Sequence, residues 1–217
     1  MAKKRVLELL CFVDEKFRER AGPDWQIYLN ESIRGASKIM EEAGITLKIA
    51  AAIDWPLPAL SAKEWRARWK QHKKWSYLWY GDNYDEVQRK GIFVISVALE
   101  HLINLAWRRE DVRPLMPKCI AIGFTGSLYW FDTKGQPLLK GGGLARQAAR
   151  CFVVNNYPNQ QQFIQVIAHE LLHLFGISHS KRGIMRRFHD SKDYIGGKNS
   201  RLNPAIIKKL KNSDLFA

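Results

Sequence analysis

His169-Glu170-Leu171-Leu172-His173-Leu174-Phe175-Gly176-Ile177-Ser178-His179 is the stretch on which the reading of this chain turns. Two histidines four apart lie one above the other on the same face of a helix, so both imidazoles can reach one ion. Glu170, one position on, points about 100° away around the helix. That keeps it out of the ligand set while leaving it near a water on the metal. Gly176 stands where the helix must stop, because glycine tolerates the left-handed backbone that reverses a chain. The reversal returns His179 as a third imidazole. Three neutral imidazoles and one water make an open tetrahedral site of the catalytic kind, whereas structural zinc sites close all four positions with protein. A pure binding site has no use for the general base that Glu170 offers. Three histidines also suit several other divalent metals.

The pattern HExxHxxGxxH, with Met185 following in Gly183-Ile184-Met185, resembles the signature of the metzincin clan of zinc peptidases. The resemblance implies one catalytic Zn2+ on His169, His173 and His179, with Met185 in a turn beneath it as an apolar floor. It implies an endopeptidase acting on a peptide or protein substrate. Glu170 would take the proton from a zinc-bound water as it attacks, then pass it to the leaving amine. Upstream, Arg5–Phe17 resembles the first strand of adamalysin-like domains, and Gly142-Gly143-Leu144-Ala145 resembles the edge strand lining their cleft. Gly143, Leu144 and Ala145 are therefore candidate substrate-binding residues, pairing with an extended peptide as an added strand.

The architecture so implied is α/β and metzincin-like. A twisted mixed β-sheet upper lobe with two main helices would span about 1–176. A small irregular C-terminal lobe with a terminal helix would span about 177–217, the whole forming a single catalytic domain over 1–217. The chain departs from better-known subfamilies. Arg187 stands two residues past Met185, where astacin-like and serralysin-like members have a tyrosine, so no tyrosine ligand is expected. The cysteines that archaemetzincins place after their third histidine are absent, so their second zinc site is not expected. Ser180 after His179 is shared with matrixins, but no latency-type cysteine motif precedes it. The clan is assigned and the subfamily left open.

Outward from the motif, residues 4–13 (KRVLELLCFV) are apolar on both faces and read as a central strand. A helix from about 26 to 43 would carry Ile27, Ile33, Ile39 and Met40 on one side, end at Gly44, and lead into the strand Ile45–Ile53. Ser61 and Glu64 form a capping box for a helix to about Tyr77. Gly91–Val97 reads as a buried strand, followed by a helix over about 98–109 with Leu99, Leu102, Ile103 and Ala106 at helical spacing. Strands are expected at 118–124, 127–132 and Cys151–Asn155, with Gly141-Gly142-Gly143 as a flexible turn. Asn159 or Pro158 starts the motif helix, and Asn203-Pro204 opens a last helix to about Asn212. Alternating strands and helices up to Gly176 argue for a mixed sheet.

The bulk properties fit. At 217 residues the chain is one domain, or one domain with two lobes, and 46% hydrophobic with 12% aromatic residues excludes a disordered chain. No run approaches the ~18 apolar residues of a spanning helix. The apolar run Val6–Val13 carries Glu8 and lacks a cleavage site, so it reads as a strand rather than a signal peptide, and a cytoplasmic location is expected. Cys11, Cys119 and Cys151 are odd in number and set in apolar stretches, the pattern of buried free thiols.

The net charge of +14 favours an anionic associate: acidic segments of a substrate, a phospholipid surface, or nucleic acid, the last compatible but not required. Lys181, Arg182, Arg186 and Arg187 are candidates to border the cleft. Trp65, Trp69 and His72 fall at i, i+4 and i+7, the stripe a helix buries, which leaves its bases on the solvated face. His101 reads as packed, and His189 as a candidate for a substrate role. Two competing readings stand beside the peptidase: a zinc-binding module without activity, and a basic nucleic-acid-associated protein in which zinc serves stability. Oligomeric state is not legible.

Overall fold

β1 (Arg5–Val13) lies inside the sheet, as its two-sided apolar pattern requires, and every side chain from Leu9 to Val13 is buried. The computed structural model describes residues 5–57, 92–93, 97–126, 129–132, 137–140, 142–180, 183–185 and 201–213. β1 is flanked in parallel by β2 (Ile45–Asp54) and β4 (Cys119–Thr125). β4 pairs in parallel with β8 (Cys151–Asn155), and β7 (Gly143–Arg146) runs antiparallel to β8 as the sheet's edge. The order is β2-β1-β4-β8-β7. The expected mixed α/β sheet is therefore present. A second, antiparallel sheet joins β3 (Ile92–Phe93), β5 (Tyr129–Asp132) and β6 (Pro137–Lys140).

Parallel neighbours need crossovers, and helices supply both the crossovers and the cover for the sheet faces. α1 (Glu15–Ala21) and α2 (Trp25–Glu41) connect β1 to β2, and α4 (Gln160–Leu174) follows β8. Alternate side chains of the strands, among them Leu9, Cys11, Ile122, Phe124, Phe152 and Val154, face a core shared with Ile33 and Met40 of α2 and Phe163 and Ile167 of α4. The opposite set, including Leu10, Phe12, Ala121 and Val153, packs with Leu99, Leu102 and Ala106 of α3 (Val97–Arg108). The two main helices thus share one face, and α3 covers the other. Ile206 and Leu210 of α5 (Pro204–Lys211) join the first of these cores. Gly35 lets α2 and α4 approach closely, since a Cβ there would fall 2.4 Å from Ile164 Cδ1.

Two readings change. Ile27 is 59% exposed, while Ile33, Ile39 and Met40 are buried; six positions separate Ile27 from Ile33, which at 100° each places it on another side. His101 is packed, as expected, accepting a hydrogen bond at Nδ1 from Trp55 Nε1 at 2.8 Å. All three cysteines are buried free thiols. The expected helix from Ser61 to Tyr77, the bases Lys181, Arg182, Arg186 and Arg187, and His189 lie outside the described residues. Among the described residues no helix is long and apolar enough to cross a membrane.

α1 is the second change, a helix the sequence did not announce. Its N-cap is Asp14, which accepts from Phe17 N at 2.6 Å. The same buried carboxylate accepts from the Thr125 hydroxyl and from Gly126 N, and so ties α1 to the end of β4. Burial pushes the Asp14 carboxyl above its ordinary range, against the pull of those three donors. Asp14→Ala removes the cap and orphans two further donors, so a loss of about 1–3 kcal/mol in urea unfolding is expected. Asp14→Asn keeps an acceptor oxygen without the buried charge and should recover most of the loss; an alanine variant as stable as wild type would contradict this role.

Candidate metal centre

Asn159 caps α4, its side chain accepting from Gln162 N at 3.0 Å. The apolar face of the helix then fixes its rotation: Phe163, Val166, Ile167 and Leu174 are buried in the core. His169 and His173, four apart, lie along one stripe of this helix. At the C-terminus Gly176 adopts φ +69°. Its N–H bonds to His173 O at 2.9 Å, and Ile177 N bonds to Leu172 O at 3.1 Å. This pair of bonds closes a helix with a left-handed glycine. Lys209 of α5 donates to Gly176 O at 2.6 Å, which pins the reversal from the other side. His179 returns to the two helical histidines as the spacing predicts.

The three Nε2 atoms stand 3.1 Å (His169–His173), 3.2 Å (His173–His179) and 3.3 Å (His169–His179) apart. Hydrogen bonding does not explain this convergence. His169 Nδ1 lies 2.7 Å from Ile184 O and His173 Nδ1 lies 2.8 Å from Ile177 O. A carbonyl can only accept, so both Nδ1 atoms carry the proton and both Nε2 atoms present lone pairs. Burial keeps these rings neutral, lowering His169 from 6.5 to about 3 and His173 in the same direction. Lone pairs facing one another at 3.1 Å repel unless a cation sits among them. Tetrahedral zinc with ~2.0–2.1 Å bonds to nitrogen separates its ligands by roughly 3.3–3.4 Å, so the donor set fits that ion. The two carbonyls do what outer partners of metal-bound histidines do: they fix tautomer and ring orientation. No residue type signals them in advance, since every residue carries a carbonyl.

Glu170 is 3% exposed. Burial alone pushes its carboxyl from 4.5 to about 8, with no hydrogen bond or charge pulling it back. β7 packs against α4, and its Gly143 abuts the Glu170 side chain: a Cβ there would fall 2.5 Å from Glu170 Cγ. Leu144 and Ala145 are half-buried along the same strand. Met185 is fully buried in the core, and its carbonyl accepts from Ser180 N at 2.8 Å, across a turn in which Gly183 has φ +74°. The motif thus gathers His169, Glu170, His173 and His179 at one end of α4, with Ile184 and Met185 returning beside them.

An α/β domain with a three-imidazole centre at the end of a sheet-packed helix defines a class of structure. Two solved structures are similar to the chain in fold. One is archaemetzincin from Methanopyrus kandleri, at 19% sequence identity and a TM-score of 0.53, covering 94% of each chain. The other is a zinc-dependent peptidase from Methanocorpusculum labreanum (strain Z), at 16% identity and a TM-score of 0.51, covering 93% of this chain and 99% of that one. At such identities the likeness is one of fold. No protein-family model and no curated protein matches the chain.

Proposed function

We propose that the chain is a zinc-dependent endopeptidase of the metzincin type, built as one catalytic domain with upper and lower lobes. The observation that carries this reading is the convergence of three imidazole Nε2 atoms within 3.3 Å of one another, two of them presenting lone pairs, with a buried carboxyl next in line on the same helix. His169, His173 and His179 hold one zinc ion, and Met185 lies beneath as its apolar floor. Zinc in that position would polarise the scissile carbonyl and acidify water. Glu170 takes the proton from the attacking water and delivers it to the leaving amine nitrogen. Burial raises its carboxyl in the metal-free chain, and a cation held beside it would draw it back towards the ionised form that accepts the proton. Gly143, Leu144 and Ala145 offer an extended peptide the outer side of β7, against which no other strand pairs among the described residues. The net charge of +14 favours substrates with acidic segments.

The test is a digest of a random peptide library by metal-loaded protein beside a chelated control, read by mass spectrometry, with zinc counted by elemental analysis. Internal cleavage that disappears on chelation, at one zinc per chain, is the expected result. Release of terminal residues alone would make it an exopeptidase. Full zinc occupancy without cleavage would favour the binding module.

A further inference from the structure

We infer that Gly143 is a positioning residue for Glu170: the side chain missing at this strand position is the space in which the Glu170 arm is held. This rests on the reading of Glu170 as the proton carrier. A Cβ on Gly143 would lie 2.5 Å from Glu170 Cγ, 2.8 Å from Cδ and 2.8 Å from Oε1, where ordinary carbon contacts are about 3.5–4.0 Å. The contact therefore runs along the whole arm and includes the carboxylate.

Backbone conformation does not demand glycine here. The positive-φ glycines among the described residues are Gly22, Gly44, Gly176 and Gly183, and Gly143 sits in regular strand opposite Val154. Only the space does. Neither side yields easily. Strand β7 is held to β8, and just ahead of it Asn155 N bonds to Gly142 O at 2.9 Å. The helix carrying Glu170 is anchored by Phe163, Ile167, Leu171 and Leu174, all fully buried. A Gly141-Gly142-Gly143 string that reads as a flexible turn thus ends in a glycine with a steric assignment.

Gly143→Ala must move the Glu170 arm by roughly 1 Å to restore ordinary contact, and a misplacement of that size at a reacting centre costs up to about 10²-fold. For a peptide chosen from the library digest, kcat should fall by about 10- to 100-fold with KM nearly unchanged and zinc still at one per chain. The discriminating background is Glu170→Ala, whose side chain ends at Cβ and so removes all three atoms that a Cβ on Gly143 would meet, its residual turnover serving as the readout. There, G143A should cost less than about 3-fold, because interacting residues are non-additive and independent ones are not. A crystal structure of G143A should show the Glu170 arm displaced.

Wild-type kcat in G143A, or equal losses in the Glu170 and E170A backgrounds, would overturn the inference. E170Q fixes which reading has failed. An inactive E170Q beside a fully active G143A sinks this inference alone, whereas a fully active E170Q sinks the reading of Glu170 and this one with it. Should G143A not fold, recovery of the fold in G143A/E170A supports the inference, and failure of that double variant to fold overturns it.

Discussion

Glu170→Gln is expected to lower peptide hydrolysis by about 10²–10⁴-fold, the range a positioned general base contributes, while zinc content and fold are kept. The amide has the shape of the carboxyl and fits the same space beside Gly143, but it cannot accept a proton from water. Removing a buried charge is damaging when a partner is left behind. Among the described residues none is, because burial is the one cause that moves the Glu170 carboxyl. The substitution should therefore stabilise the apoprotein in a pH-dependent way. The folded-state pKa, about 8, lies above the ordinary 4.5, so between those values the folded chain binds more protons than the unfolded one. Stability is then lost as pH rises through that window. Glutamine carries no such loss, so chelated E170Q should exceed chelated wild type at pH 8 by on the order of 1 kcal/mol or more, with the gap closing towards pH 5. Turnover of library peptides and urea unfolding at the two pH values measure both halves. Undiminished turnover would remove Glu170 from the mechanism, and an E170Q less stable than wild type at pH 8 would contradict its burial as an unpaired acid.

What the sequence disclosed, and what it withheld, divides along the range of the interactions. β1 was legible because its residues are apolar on both faces, which only an interior strand tolerates. The histidine centre was legible because helical spacing and one glycine reversal, all within eleven residues of chain, bring its ligands together. α1 was not legible: its cap, Asp14, is stabilised by Thr125 and Gly126, more than a hundred positions away. The steric match of Gly143 with Glu170 was hidden for the same reason, since it exists only once β7 lies against α4. Ile27 was misplaced by a local error of angle, not by a distant contact. The substrate partner stays with the residues least constrained by the local pattern: the edge strand offers backbone and half-buried small side chains, which set register more than they set side-chain preference.

His169→Ala and His179→Ala are expected to cost the same metal and different amounts of fold. Each removes one of the three proposed zinc ligands, so occupancy should fall at least as far as the 10–100-fold that losing an outer partner costs, and turnover should fall to background. Their surroundings differ, however. His169 is 1% exposed and its ring donates to Ile184 O at 2.7 Å. Alanine there leaves a cavity and a carbonyl without its donor, worth about 1–3 kcal/mol in the chelated protein. His179 is exposed, and its loss should stay within about 0.5 kcal/mol, as for most surface substitutions. The pH response separates them further. Burial lowers His169 from 6.5 to about 3, so the folded apoprotein binds fewer protons than the unfolded chain within that window and loses stability as pH falls through it. His169→Ala removes that acid loss, which His179→Ala leaves in place. Zinc-to-protein ratios and urea unfolding of the chelated variants at pH 5 and 7 decide the matter. An unchanged ratio in either variant strikes that histidine from the ligand set, and equal stability costs would mean that the burial of His169 serves the metal alone.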